Sequence, residues 1–458
     1  MRARLIIGWL ILLSLLAAIG FAQQPPAAAA PAAARRLSIA EALDIARRNN
    51  PTYLSSLNDR WEVGARRRSA FLNLFTPSAS ANASWRHSDE GTTYIQGVPS
   101  GFASGENRYT SWSLGAQWSL SGQTIATRGL TAANARATEA DISGALRTLE
   151  TNVRSQYLSL LQARARVGLA QHSVERAQEQ LSLAQARYGV GQGTLVDVRN
   201  AEVGKGQAEV NLLTANQAVE NETLRMFQQL GVPAPESVQL ELTDSFPVTR
   251  PAFVEDSLIR LALDENPGLV AYRARARSAR WSTRSAYSEY GPSLQLQAGF
   301  GWSRSSTADA GDPLNPLLFR AASIQKGNSP LSVSLGLSLP IYDGFARAAD
   351  IQRARAYEDD VHLSIRAGEL AVRAGVSQAH RQLIAAYQTI QLQQSNKAAA
   401  AEALDLATQR YRVGAGTYIE LLTARESAEK ADADYVNAVY DYHKAIAALE
   451  NAVGRPLR

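Results

Sequence analysis

Two spacings of apolar residues run through this chain. In four short stretches the apolar positions fall on every second residue. Leu294, Leu296, Ala298, Phe300 and Trp302 alternate with Gln295, Gln297, Gly299 and Gly301. Leu331, Val333, Leu335, Leu337 and Leu339 alternate with Ser332, Ser334, Gly336 and Ser338. Trp112, Leu114, Ala116, Trp118 and Leu120 alternate with Ser113, Gly115, Gln117 and Ser119, and Ala79, Ala81, Ala83 and Trp85 with Ser80, Asn82 and Ser84. Successive side chains on a strand point to opposite faces, so each stretch predicts a strand with one apolar and one small, polar face. A soluble antiparallel sheet also has one wet face. Tryptophan and leucine on one side, with only Ser, Gly, Gln and Asn on the other, favour a lipid-facing sheet, and each stretch approaches the ~9–11 residues that cross a bilayer at a tilt. Trp112, Leu114, Leu294, Leu296, Phe300, Leu335 and Leu337 are then expected to face lipid.

Four strands cannot close a barrel. An open edge in lipid leaves backbone groups unpaired at several kcal/mol each, and the smallest common barrels have about 8 strands. Several copies must share one barrel: two copies would give eight strands with little lumen, three would give twelve.

The second spacing is helical. From Gly122 to Tyr188, and again from Phe345 to Tyr411, 67 residues pass without proline or a turn cluster, about 100 Å of helix at ~1.5 Å per residue. Val153, Tyr157, Leu160, Val167, Ala170, Val174, Ala177, Leu181, Ala184 and Tyr188 mark a coiled-coil seam, interrupted by Arg164. Leu195–Leu230 offers 36 further helical residues and Pro51–Phe75 offers 25. Stacked end to end, these two nearly match the long helix, as the wall of a tube would require. A helical rod or scaffold would also need long helices, but not the strands.

The order of parts is written twice. Asn50-Pro51 returns as Asn266-Pro267, and Ser113-Leu114-Gly115 as Ser334-Leu335-Gly336. Arg187-Tyr188-Gly189-Val190-Gly191-Gln192-Gly193-Thr194 returns as Arg410-Tyr411-Arg412-Val413-Gly414-Ala415-Gly416-Thr417. Glycine just past a helix end suits a left-handed turn. Thr194 with Asp197, and Thr417 with Glu420, have capping-box spacing for the next helix. Each motif reads as a tight helix-turn-helix tip; no lysine-serine/threonine follows the glycines, which excludes a phosphate loop. Residues 37–231 form a first structural repeat and 252–458 a second, joined by a proline- and acid-rich linker at 232–251.

Composition adds the compartment. Arg2 and Arg4 precede an uncharged apolar stretch to Ile19, then Gly20-Phe21-Ala22, so residues 1–22 read as a secretory signal cleaved near Ala22. Residues 23–36 are a low-complexity leader of Gln, Pro, Ala and Arg. The chain has no cysteine, which excludes disulfides, thiolate metal sites and a cysteine-linked lipid anchor. A formal net charge of +5, two units of it in the signal, with no basic block interleaved with aromatics, gives no nucleic-acid reading. Arg66-Arg67-Arg68 spread around a helix axis as a solvated face. Among His87, His172, His362, His380 and His443 no pair has metal-ligand spacing. Gly204-Lys205-Gly206, mid-helix, is a close-packing site. No catalytic residue, metal or cofactor is expected.

The doubled Tyr-x-Val-Gly-x-Gly-Thr turn, the Leu339-Pro340-Ile341-Tyr342-Asp343-Gly344 strand-to-helix junction and the two-fold repeat resemble the TolC-type outer membrane efflux protein family over about Leu37 to Gly454. The resemblance implies an α+β membrane protein. In a homotrimer, four transmembrane strands per chain join a shared 12-stranded barrel in outer-membrane lipid, continuous with a long α-helical coiled-coil barrel in the periplasm. It implies a Gram-negative outer-membrane channel of a tripartite efflux or type I secretion system, a passive exit duct fed by an inner-membrane transporter through a periplasmic adaptor. A periplasmic adaptor or structural scaffold is the alternative, and would not carry four membrane-type strands. Val190, Gly191, Gly193, Thr194, Val413, Gly414, Gly416 and Thr417 are then the adaptor-docking tips. Tyr411 and Glu420 match the family's gate positions, with Tyr188 and Asp197 as first-repeat counterparts. Glycine at 416 and threonine at 423 replace the family's gate arginine and second acid. Asp197 and Glu420 read equally as helix caps.

Overall fold

The computed structural model describes residues 35–89, 91–95, 98–104, 107–234, 240–244, 246–307 and 323–457. The signal sequence expected at 1–22 and the expected leader up to residue 34 lie outside the described residues. In chain order the elements are β1 (Arg35–Leu37), α1 (Ile39–Asn49), α2 (Pro51–Leu72), β2 (Ser78–Ser88), β3 (Gly91–Ile95), β4 (Val98–Ser104), β5 (Asn107–Leu120), α3 (Gly122–Gly189) and α4 (Leu195–Leu230). Then follow β6 (Leu240–Leu242), α5 (Glu255–Glu265), α6 (Pro267–Ser288), β7 (Ser293–Thr307), β8 (Ser323–Ser338), α7 (Ala346–Arg412) and α8 (Tyr418–Val453).

Helix lengths recur. α1 and α5 have 11 residues, α2 and α6 have 22, α4 and α8 have 36, and α3 and α7 have 68 and 67. The long helix α3 spans the full height of the wall. Beside its C-terminal half lie α4 and α8; beside its N-terminal half lie α2 and α6; α7 packs along α8 and α6. Four columns result: α2 above α4, then α3, then α6 above α8, then α7.

The stacking of short on long helices is built from asparagine and glycine. Asn50 ends α1 and caps α2, its Oδ1 accepting from Tyr53 N–H, while its Nδ2 donates to the last-turn carbonyl of Gln229 in α4 at 2.9 Å. Asn266 does the same at the second stack, capping α6 through Gly268 N–H and donating to Ala452 O of α8 at 3.1 Å. The chain turns away at Gly231 and Gly454, both left-handed (φ 72° and 93°). A Cβ at Gly231 would collide with the Asn49 backbone, and one at Gly454 would sit 2.7 Å from Pro267. Only glycine serves there.

β2, β5, β7 and β8 form one antiparallel sheet in that order, so β2 and β8 are its open edges. β3 and β4 form a hairpin of their own between β2 and β5 in the chain. Ladder register places Ser78, Gln117, Gln297 and Ser334 in one row, and Ala81, Leu114 and Phe300 in another. A bulge between Gly299 and Gly301 shifts the β7–β8 register. A Cβ on Gly301 would lie 2.8 Å from Trp112 O, which explains the glycine.

Two boundaries differ from the sequence expectation. Arg35 and Arg36, expected in the leader, join Leu37 in β1, parallel to β6, so the segment expected as an irregular linker also holds a short strand. Three-residue strands are too short to show alternation. The helix expected to reach Phe75 ends at Leu72: Asn73–Phe75 tighten into a turn, and Pro77 disfavours a helical backbone at the residue before it. Beneath the β1–β6 pair, Tyr157 of α3 is fully buried and donates to Leu37 O, with Asp244 Oδ2 at 2.8 Å. Burial, then Asp244, push its phenol above the usual range.

Candidate functional site

The sheet separates its side chains as the alternation requires. On one face Trp112 packs edge-to-face on Phe300, centroids 5.5 Å apart, and Leu114, Leu296, Leu335 and Leu337 are exposed, with Leu337 74% accessible; Leu294 is half-buried. On the other face run Ser80, Gly115, Gly299 and Ser332, one residue from each strand. Large apolar side chains left in the open, against a rail of Ser, Gly and Gln, suit lipid on one side and water on the other.

The paired turns lie at the opposite end of the columns. In both, two N–H groups bond one arginine carbonyl: Gln192 and Gly193 to Arg187 O, Ala415 and Gly416 to Arg410 O. This closes each helix through a left-handed glycine, Gly191 at φ 73° and Gly414 at φ 80°. The next helix starts with a complete capping box. Asp197 N–H donates to Thr194 Oγ1 while Thr194 N–H donates to Asp197 Oδ2, and Thr417 and Glu420 repeat the exchange. Both acids are therefore engaged as caps, with Arg410 Nη1 3.9 Å from Glu420. Val190 and Val413 stand out from the turns, and Leu195, Val196 and Ile419 add exposed apolar surface beside them.

Tyr188 and Tyr411 occupy matching places but different surroundings. Tyr188 is half-exposed, whereas Tyr411 is 3% accessible, packed among Leu181, Ala184, Val198 and Leu421 with its ring 5.8 Å from Tyr418. Arg187 crosses from the first turn to the second. Its Nη1 donates to Tyr411 O, its Nη2 to Gln192 O at 3.0 Å, and its guanidinium lies 4.4 Å from the Tyr411 ring centroid. Burial, then the Asp197 charge, raise the Tyr411 phenol pKa, with Arg187 opposing. Higher up, Arg425 of α8 is buried against Gly204 of α4, donates to Gln180 of α3, and has Glu429 3.6 Å from its Nε. Gly204 is thus a close-packing site, whereas nothing approaches Gly206. No local pattern announces the bridging role of Arg187, although the doubled Arg-Tyr dipeptide marks the position.

No group of His, Cys, Asp and Glu among the described residues could hold a metal ion. His380 Nε2 bonds Phe253 O, and His443 Nε2 bonds Phe246 O; both are structural contacts to the segment between α4 and α5. No described helix is long and apolar enough to cross a membrane.

A family profile described as outer membrane efflux protein matches residues 63–232 and 258–455. The outer membrane efflux protein BepC of Brucella suis is 26% identical over 300 residues, covering 65% of this chain and 61% of that protein. The outer membrane protein TolC of Escherichia coli is 25% identical over 328 residues, covering 68% and 65%. The chain thus aligns with under two thirds of either relative's length. Among solved structures, the outer membrane protein VceC of Vibrio cholerae superposes with a TM-score of 0.70 at 19% identity, over 92% of this chain and 97% of that one. At that identity the likeness establishes the shared fold.

Proposed function

The chain belongs to the outer membrane efflux protein family, and from that premise we propose that three copies form a passive exit duct in the outer membrane of a Gram-negative cell. The observation that carries this reading is the four-stranded sheet with one lipid-type face and two open edges. Its strands alternate in direction, so β8 of one copy runs antiparallel to β2 of the next and the ladder continues without reversal. Three copies give twelve strands, enough for a lumen lined by Ser, Gly and Gln.

The helical columns support the same closure. The outermost columns leave apolar residues exposed at heptad spacing: Val196, Val203, Val210 and Leu224 on α4, and Leu363, Leu370 and Ile384 on α7. These are coiled-coil seams without a partner in one chain. Joined, they make a tube about 100 Å long at ~1.5 Å per residue. Cargo pumped by an inner-membrane transporter enters through a periplasmic adaptor that docks on the two turns, where Gly191, Gly193, Thr194, Gly414, Gly416 and Thr417 shape the backbone and Val190 and Val413 offer apolar contact. The tip also closes the resting tube. Tyr411 and Arg187 tie the two turns together, and Tyr188, Asp197 and Glu420 flank the same constriction.

The test is deletion and complementation in the native cell. Loss of the gene should block export of the system's cargo while transporter and adaptor remain in the inner membrane, and the wild-type chain should restore it from the outer-membrane fraction. Export that continues unchanged, or a chain found only in soluble periplasm, contradicts the reading.

A further inference from the structure

One non-glycine residue among those described has a left-handed backbone. Phe345, at the start of α7, has φ 67°, directly after Gly344 at φ 68°. That conformation is disfavoured for a residue with a side chain and persists only where neighbours over-determine it. Here they do. Asp343 Oδ2 accepts from both the backbone N–H and Nε of Arg347, at 2.9 and 2.7 Å. Arg347, itself buried, also donates to Pro340 O at 3.0 Å and lies over the Tyr290 ring. This clasp holds the β8–α7 junction in a fixed shape, and the shape points apolar side chains outward. Ile341 is 92% accessible and Phe345 73%, with Tyr342 stacked edge-to-face on Phe345 at 6.0 Å.

The other edge of the sheet carries a matching patch at the same end. Phe71 and Phe75 are exposed and stacked edge-to-face at 5.5 Å, just before β2 begins at Ser78. Ile341 follows equally closely after β8 ends at Ser338. A rigid clasp that projects apolar rings from one edge, opposite a ring pair on the other edge, fits a partner with this same surface.

We propose that the Asp343–Arg347 clasp presents Ile341, Tyr342 and Phe345 as a wedge that seats against Phe71 and Phe75 of the next copy, sealing the joint between barrel and tube. This rests on the closure by several copies proposed above. β2 and β8 are the sheet's two open edges and run antiparallel, so head-to-tail closure brings the end of one beside the start of the other. Within one chain the edges are separated by three strand spacings of about 4.8 Å, too far for a disulfide, whose Cβ atoms approach to about 3.8 Å.

The chain has no native cysteine, so cross-linking reads the joint directly. Phe75→Cys and Ile341→Cys are introduced singly and together, as are Phe71→Cys and Phe345→Cys, and the full-length protein is oxidised in its native membrane. Size under non-denaturing conditions is recorded in parallel. The expected result is a ladder of two and three linked chains from at least one double variant, and linked pairs when the matching single variants are co-expressed. An intact assembly in which no pair links, and in which the thiol of the Phe345→Cys variant instead reacts with a lipid-soluble maleimide, means lipid covers the wedge. That outcome overturns the proposal while leaving closure by copies standing. Single chains throughout overturn both. Phe345→Gly gives a second reading: it relieves the backbone but removes the ring, so the heat resistance of the assembly should fall. If the residue matters only to its own loop, heat resistance holds or rises.

Discussion

The guanidinium of Arg187, at the end of the first long helix, lies 4.4 Å from the ring of Tyr411, at the end of the second, and donates to its carbonyl. Arg187 thus bridges the tips of two helical hairpins distant in sequence, beside the packing of Tyr411 on Leu181, Ala184 and Val198. In the proposed duct, widening the tip by moving one hairpin against the other breaks this contact. Arg187→Met keeps much of the packing and loses both the donors and the charge. Its single-channel conductance in planar bilayers should rise above wild type, and cells should become sensitive to large antibiotics. A Tyr411→Phe, Glu420→Gln double variant separates latch from cap: a latch raises conductance, whereas a cap lowers thermal stability, each cap being worth ~0.5–2 kcal/mol.

The turns themselves demand glycine. Valine at Gly191 or Gly414 forces a left-handed β-branched residue, at about 1–2 kcal/mol each, and nothing nearby in the fold depends on Gly191 for space. The double variant Gly191→Val, Gly414→Val should still insert in the outer membrane and resist heat nearly as well as wild type, yet fail to restore export. Normal export from it removes the docking assignment.

Much of this architecture is readable from residue order, and the parts that are not share a cause. Strand faces follow from the alternation of Leu335 and Ser334, and the capping boxes from Thr194 with Asp197 and Thr417 with Glu420, because these depend on neighbours a few residues away. The bridge from Arg187 to Tyr411 spans 224 positions, and no local pattern says which carbonyl a long side chain will reach. β1 and β6 are too short to carry a period. Phe345 gives no sign of its positive φ, since an aromatic residue there runs against backbone preference and is held by Arg347 two positions on.

Sheet polarity predicts a difference between adjacent residues. Leu335→Arg places charge on the lipid-type face and should cost about 2–4 kcal/mol near the bilayer midplane. Ser334→Arg faces the small-residue rail and should be tolerated in assembly while altering conductance. Urea titration of the inserted protein and bilayer recordings check the pair. Equal destabilisation by both means the faces are misassigned.

Glycines in contrasting settings should respond oppositely to alanine. Gly231→Ala meets the Asn49 backbone and a left-handed φ, so it should destabilise by well over about 1 kcal/mol. Gly206→Ala lies within α4 with nothing near its Cβ position and should stabilise by roughly 0.5–1 kcal/mol. Thermal unfolding of the two variants decides it.

The clasp at the junction has a pH signature. Hydrogen bonds from Arg347 hold the Asp343 carboxyl below the usual range. A carboxylate with a depressed folded pKa adds stability that is fully present above its unfolded value of about 3.9. That stability is lost as pH falls through the lower folded value. Asp343→Asn should therefore lower the melting temperature at neutral pH, and the gap to wild type should close in strongly acidic buffer. A gap that persists there assigns the effect to shape rather than charge.

Everything proposed for the duct depends on one chain supplying a third of a barrel. Native mass spectrometry of the mature protein, released from detergent micelles, decides that point. A single dominant species should appear with the mass of three chains, converting to one-chain species only as the strand signal in circular dichroism is lost. A stable one-chain species that keeps that strand signal would contradict it.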